Sequence, residues 1–133
     1  MSKLYLGIDP GRSKTGLALC DERGKILRLH IAATARMAEE LQDFVAEDRP
    51  EAIIMGNGTN SKAIGQVVKD VFPWKKLYLV EEAHSTEDAR ALYWVENPPK
   101  GWRRLVPLGL QVPPEPLDAY AAVIQIRRWL KEQ

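Results

Sequence analysis

The sequence predicts an α/β fold on a five-stranded mixed sheet, three antiparallel strands followed by two parallel ones, with helices on both faces. Two observations predict it. Three short apolar runs bounded by turn signals open the chain, and later apolar runs alternate with segments of helical spacing, in the order βββαβαβαα. The 133 residues are read as one domain, 1–133, long enough for a real core. Hydrophobic residues at 45% and charged residues at 28% exclude a disordered or collagen-like chain.

KLYLGID (3–9) reads as the first strand, with Leu4, Leu6 and Ile8 alternating. GLALCD (16–21) is the second, after the turn DPGRSKT. Asp21-Glu22-Arg23-Gly24 is a hairpin signal leading into KILRLHIA, the third. From Thr34, Met37, Leu41, Phe44 and Val45 recur at helical spacing, and Pro50 is expected to close that helix. EAIIMG is apolar throughout, as a strand covered on both faces should be. GNGTNS is a loop, and SKAIGQVVKDVF is helical through Ile64, Val67, Val68 and Val71. KLYLVEE, ending on Glu81-Glu82, is the fifth strand, and STEDARALYWVE a helix with a capping box at Ser85 and Asp88. Residues 97–116 hold six prolines and two glycines and form a long irregular loop. PLDAYAAVIQIRRWLKEQ closes the chain as a helix, with Leu117, Tyr120, Ala121, Ile124 and Leu130 turned to the sheet and Arg127 and Arg128 on a solvated face.

The net charge of +1 does not by itself specify a polyanionic partner, so local clustering must. Cys20 is the one cysteine, which excludes an internal disulfide and a cysteine-built metal site. It reads as a small buried hydrophobe. With no leader-like segment and no membrane-length apolar run, a cytoplasmic protein without membrane contact is expected.

Three carboxylates stand where an interior pattern stops. Asp9 ends the first strand, Glu82 ends the fifth, and Asp118 lies in the first turn of the last helix. Asp9 before Pro-Gly is either a turn former or a group held out for chemistry. Glu82 caps a strand or serves a site, and Asp118 suits a helix N-terminus in any case. Should they meet, their oxygens suit Mg2+ or Mn2+ rather than zinc. Two such ions roughly 3.5–4 Å apart serve phosphodiester hydrolysis without cysteine or histidine.

Gly7-Ile8-Asp9-Pro10-Gly11 with Thr15-Gly16 resembles the opening of the RuvC type of Holliday-junction resolvase and of the related YqgF (RuvX-like) family, both ribonuclease H-like in fold. Ile54 to Ser61 (IMGNGTNS) resembles the second YqgF motif and that of the YqgF-like domain of Tex. Leu79 to Thr86 (LVEEAHST) resembles the third and Pro116 to Gln125 (PLDAYAAVIQ) the last. The resemblance implies a metal-dependent nuclease acting on branched DNA or on the precursor of small-subunit ribosomal RNA. Asp9, Glu82 and Asp118 are then the catalytic carboxylates, holding one or two Mg2+ or Mn2+ ions. It departs in two places. Glu81-Glu82-Ala83 lacks the arginine of the YqgF triplet. The further acid that RuvC enzymes carry three residues from the last aspartate is not expected on this helix face, Ala121 following Asp118 and Glu115 preceding it.

Arg12 and Lys14, in the turn after Asp9, are candidates for phosphate contact, and Asn57 and Thr59 precede a helix whose N–H groups suit a phosphate. Trp102 beside Arg103 and Arg104 pairs a stacking surface with charge, which suits unpaired nucleotides. Gly11 is expected to admit a close backbone approach. His84 is a candidate proton carrier, and His30, inside a strand, is discounted. Trp74 and Trp94 belong to the core or to an interface. A dimer fits the resolvase reading and a monomer the RNA-processing one. Two rival classes stand beside the nuclease. One is the phosphate-binding half of a sugar-kinase or actin-like ATPase, which needs a second lobe; the other is a nucleic-acid-binding module with a reduced or inactive metal site.

Overall fold

Alternation along the first strand decides where everything else sits. The computed structural model describes residues 3–58, 60–73, 75–81, 85–111, 113 and 115–133, with Ser85 by its backbone only. β1 (Leu4–Asp9) sends Leu4, Leu6 and Ile8 into one layer of core and Tyr5 into the other. β2 (Lys14–Asp21) pairs antiparallel with β1, from Leu4 opposite Asp21 to Asp9 opposite Gly16. β3 (Ile26–Ala33) pairs antiparallel with β2, and β4 (Ala52–Gly56) and β5 (Lys76–Val80) extend the other side in parallel. The order β3-β2-β1-β4-β5 is the expected mixed sheet. β4 is buried at all five positions, as its unbroken apolar run requires.

α1 (Met37–Val45) and α2 (Ser61–Val71) cover the Leu6 and Ile8 face with Met37, Leu41, Phe44, Ile64 and Val68. α3 (Ser85–Glu96) and α4 (Asp118–Lys131) cover the opposite face. Each fully buried Leu or Ile in these layers contributes about 1.5–3 kcal/mol. Cys20 is fully buried in the α4 layer, and burial pushes its thiol up to about 12, which makes it inert. Trp94 is a core residue, packed edge-on to Tyr93, while Trp74 lies outside the described residues. His30 stacks on Phe44 and meets Glu40 at 3.2 Å at the surface. No helix among the described residues is long and apolar enough to cross a membrane.

Four expectations of local structure are corrected. The first helix begins after a 3-10 turn at Thr34–Arg36 and stops at Val45, well short of Pro50. Ala46 reverses the chain there at φ +50°, and the Arg28 guanidinium donates to the freed carbonyl of Phe44. β5 ends at Val80 rather than Glu82. Arg127 and Arg128 are not a solvated face. Arg127 Nε donates to the Gly24 carbonyl at 2.9 Å, and Arg128 pairs with Asp88 at 2.7 Å and donates to the Glu81 carbonyl. Finally, α4 is buried more completely than its expected stripe. Ala119 through Val123, Gln125 and Ile126 are all buried, because α3 covers the side that the sheet does not.

The close seating of α4 depends on two glycines of the opening motif. A Cβ on Gly7 would stand 2.5 Å from the Ala122 carbonyl oxygen, and one on Gly16 would stand 2.0 Å from that of Asp118. Both obstacles are backbone, which cannot swing aside. Gly16→Ala is therefore expected to lower the unfolding free energy by about 3 kcal/mol or more, read from the midpoint of urea denaturation. A variant as stable as the parent would mean that α4 does not rest on Gly16.

Candidate active site at the end of the central strand

Asp9 is the last residue of β1, and its Oδ1 accepts a hydrogen bond from Gln125 Nε2 of α4 at 3.0 Å. Its side chain therefore stands on the α3 and α4 side of the sheet, in step with Tyr5. Opposite Asp9 on β2 is Gly16, and on Gly16 rests the backbone of Asp118. Paired antiparallel residues have Cα atoms about 4.5–5.5 Å apart, so Asp9 stands one strand spacing from the residue on which the Asp118 backbone rests. Strand pairing and helix docking thus bring together residues 9 and 118 from opposite ends of the chain. Asp118 is part-buried, and that burial raises its carboxyl above the ordinary range, while the Lys14 ammonium nearby works in the opposite sense.

The turn after Asp9 is held from three directions. Gly11 N–H donates to Thr15 Oγ1 at 3.4 Å, and the Gly11 carbonyl accepts from Thr34 Oγ1 at 3.0 Å and from Asn60 Nδ2 at 3.1 Å. The hydroxyls of Thr15, fully buried, and Thr34 lie 2.7 Å apart. Gly11 is needed for a close backbone approach, and the backbone that approaches is the chain's own: a Cβ there would lie 2.1 Å from the Lys14 carbonyl oxygen. A tip fixed in this way holds the Asp9 carboxylate without relying on the side chain's own preferences.

Glu82, Thr59 and His84 lie outside the described residues. The C-terminal ends of β1, β4 and β5 finish on one edge, since Ile8 pairs with Met55 and Gly56 with Val80. β4, the immediate neighbour of β1, delivers Gly56 and Asn57 there rather than an acid. Asn57 is exposed, and its N–H is already donated to the Val80 carbonyl at 2.9 Å. Glu81 is exposed, with its carbonyl tied to Arg128. Arg12 and Lys14 are exposed beside the site, and Trp102, Arg103 and Arg104 are exposed on the segment before α4. Among the described residues, no group of three His, Cys, Asp or Glu side chains is placed to hold a metal ion.

Glu115 does not supply a further acid on the helix face of Asp118. It is acidic, three residues before Asp118, but it precedes α4 and is exposed, and its charge falls on Tyr93, whose hydroxyl burial and Glu115 together push up. Ala121 is buried in the helix. Gln125, Thr34 and Asn60 were not singled out by sequence reasoning. Gln125 carried a signal, as the one polar side chain in the run Ala119 to Ile126 apart from the Tyr120 hydroxyl; Thr34 and Asn60, at the starts of helical segments, carried none beyond their type. A hollow of about 880 Å3 between Leu6, Ile53, Pro50 and Phe72 lies at the opposite end of the sheet from Asp9.

No family model matches this chain, and no curated protein matches it in sequence. Solved structures do. A Thermus thermophilus RuvC structure is similar at TM-score 0.59 and 16% identity, over 97% of this chain and 96% of that one. T. thermophilus RuvC in complex with a Holliday junction substrate is similar at TM-score 0.61 and 15% identity, over 98% and 96%. A crystal structure of a ROK family transcriptional regulator matches at TM-score 0.49 over 68% of this chain and 30% of that one, too slight a likeness to bear on function. The near-complete overlap with RuvC shows that the chain has the α/β, ribonuclease H-like fold of that resolvase.

Proposed function

We propose that this chain is a divalent-metal-dependent nuclease that cleaves phosphodiester bonds of structured nucleic acid. The observation that carries the reading is the convergence of Asp9 and Asp118 on Gly16, one carboxylate held by Gln125 and the other destabilised by burial. Asp9 and Asp118, with the Lys14 ammonium near Asp118, form an oxygen-only donor set that fits Mg2+ or Mn2+. Asp9 and Asp118, with Glu82 from the segment after β5, are the residues that would hold one or two such ions. Bound there, the ion would supply an activated water and stabilise the leaving oxygen. Arg12 and Lys14, exposed beside the acids, would neutralise a phosphate, and Asn57 at the end of β4 would extend that contact; Thr59 is a further candidate from the sequence alone.

The likeness to a RuvC captured with a Holliday junction supports nucleic acid as the partner, and the four motifs support the YqgF (RuvX-like) kind, with Holliday-junction-like DNA or precursor ribosomal RNA as substrate. A single domain, residues 1–133, acting in the cytoplasm belongs to the same reading. A homodimer would suit symmetric cuts in a junction. The second reading, a binding module with a reduced metal site, draws on β4 bringing Gly56 and Asn57, not an acid, to the site edge.

The test is cleavage of labelled single-stranded RNA, single-stranded DNA and a four-way junction with Mg2+, Mn2+ or chelator, beside Asp9→Asn. Cutting that needs metal and is lost in the variant is expected. Tight binding without cutting in either metal would establish the binding module instead.

A further inference from the structure

Between α3 and α4 the chain forms a strap whose apolar groups face outward. Trp102 is 71% exposed, Leu105 87%, Leu108 45% and Leu110 77%. Two 3-10 turns, Gly101–Leu105 and Leu108–Leu110, shape it. It is braced through Gln111, whose Nε2 donates to the carbonyls of Arg103 at 2.8 Å and Val106 at 2.9 Å and whose carbonyl accepts from Arg90 of α3. Gly101, at φ +62° with open space around it, turns the chain just before Trp102. The tryptophan is displayed by a bonded scaffold.

The charge of the strap is one-sided. From Asn97 to Gln111 the charged residues are Lys100, Arg103 and Arg104, and the first acid after them is Glu115. The Arg103 guanidinium lies 5.9 Å from the centre of the Trp102 ring. The strap is also tied near the candidate site at its start: Asn97 Nδ2 donates to Tyr120 Oη at 3.0 Å, two residues after Asp118.

We propose that residues 97–111 dock an unpaired strand of nucleic acid, Trp102 stacking on a base while Lys100, Arg103 and Arg104 meet phosphates. The proposal rests on the nuclease reading and narrows it: the substrate carries a single-stranded segment next to the bond that is cut. Bases in a duplex are stacked on one another and closed to a tryptophan face, whereas every unpaired base offers one. A second copy of the chain is the poorer occupant, because a symmetric contact through this strap would bring like charges together.

The experiment measures binding of fluorescent single-stranded RNA and DNA, and of the same sequences as duplexes, with chelator present so that cutting does not interfere. Trp102→Ala, on an exposed side chain, is expected to weaken single-strand binding about ten-fold and leave duplex binding unchanged. The Arg103→Glu/Arg104→Glu variant is expected to weaken both and to flatten the salt dependence. Equal affinity of Trp102→Ala and parent for single strands would overturn the proposal, as would an equal loss on duplexes. So would a Leu105→Ser/Leu110→Ser variant that turns a dimer into a monomer with single-strand affinity intact, since the strap would then be a contact between copies. A chain that binds single strands through Trp102 but never cuts sinks the nuclease reading alone. A chain that cuts with metal whatever stands at Trp102 sinks the strap alone.

Discussion

Asp118→Asn is expected to raise the melting temperature of the metal-free protein while lowering metal-dependent cleavage by more than about 100-fold. The lower bound on activity follows from the loss of 10–100-fold typical when only the hydrogen-bond partner of a metal ligand is removed; removing a ligand should exceed it. The stability effect follows from burial. Burial raises the carboxyl of Asp118, so the folded state holds the proton more tightly than the unfolded chain. Between the two pKa values the native protein binds more protons than the unfolded one, and stability falls as pH rises through that window. Above it the whole cost of an ionised, part-buried Asp118 is carried; below the unfolded pKa it is absent. An amide at this position removes that pH dependence. The parent should also gain stability on addition of Mg2+ or Mn2+, about 2.7 kcal/mol at a hundred times the dissociation constant, and this gain should vanish in the variant. Thermal unfolding across pH, with and without metal, reads all three effects. A metal-induced rise in melting temperature that persists in Asp118→Asn would remove Asp118 from the site.

The stability cost and the proposed chemical role have one origin. A fold whose only task was to stay folded would not seat a carboxylate where burial opposes its charge and where two glycines must be kept to seat it. Gly7 and Gly16 could be read in the sequence as parts of a motif, but the reason for them lies in Ala122 and Asp118, over a hundred residues away. The end of β1 was legible because its apolar alternation stops at Asp9. The antiparallel opening was legible because turn signals bound short strands, and β4 because its run is unbroken. Positions set by contacts between distant elements were not. Arg127 and Arg128 look like a solvated pair until Gly24, Glu81 and Asp88 are seen to converge on them. α1 ends early because Arg28, on another strand, satisfies its last turn. Glu82, between Glu81 and α3 in the sequence, lies outside the described residues.

Gln125 separates packing from positioning, because the two predict different things when it is changed. It is fully buried, with Nε2 on Asp9 at 3.0 Å and Oε1 buried without a hydrogen-bond partner among the described residues. Gln125→Leu removes a hydrogen bond to a charged group, worth about 1.5–3 kcal/mol, but also removes a buried unpaired carbonyl that costs about 1–3 kcal/mol. The side-chain volumes are close, so the net change in stability is expected to stay within about 1 kcal/mol. Metal affinity, by contrast, is expected to fall roughly 10–100-fold, because Asp9 loses a donor that orients it. Gln125→Glu sets a second carboxyl against Asp9 at hydrogen-bond distance, where two ionised groups are not both tolerated. The folded state then retains a proton that the unfolded chain releases, so this variant should lose stability steadily as pH rises above the ordinary carboxylate range. Calorimetric titration with Mn2+ and urea denaturation at mildly acidic and mildly alkaline pH measure both. If Gln125→Leu binds metal as the parent does, the amide is core filling and Asp9 is oriented by the locked turn at Gly11 alone. If it binds weakly at unchanged stability, the buried amide is kept for Asp9, and the reach of the site extends two turns down α4.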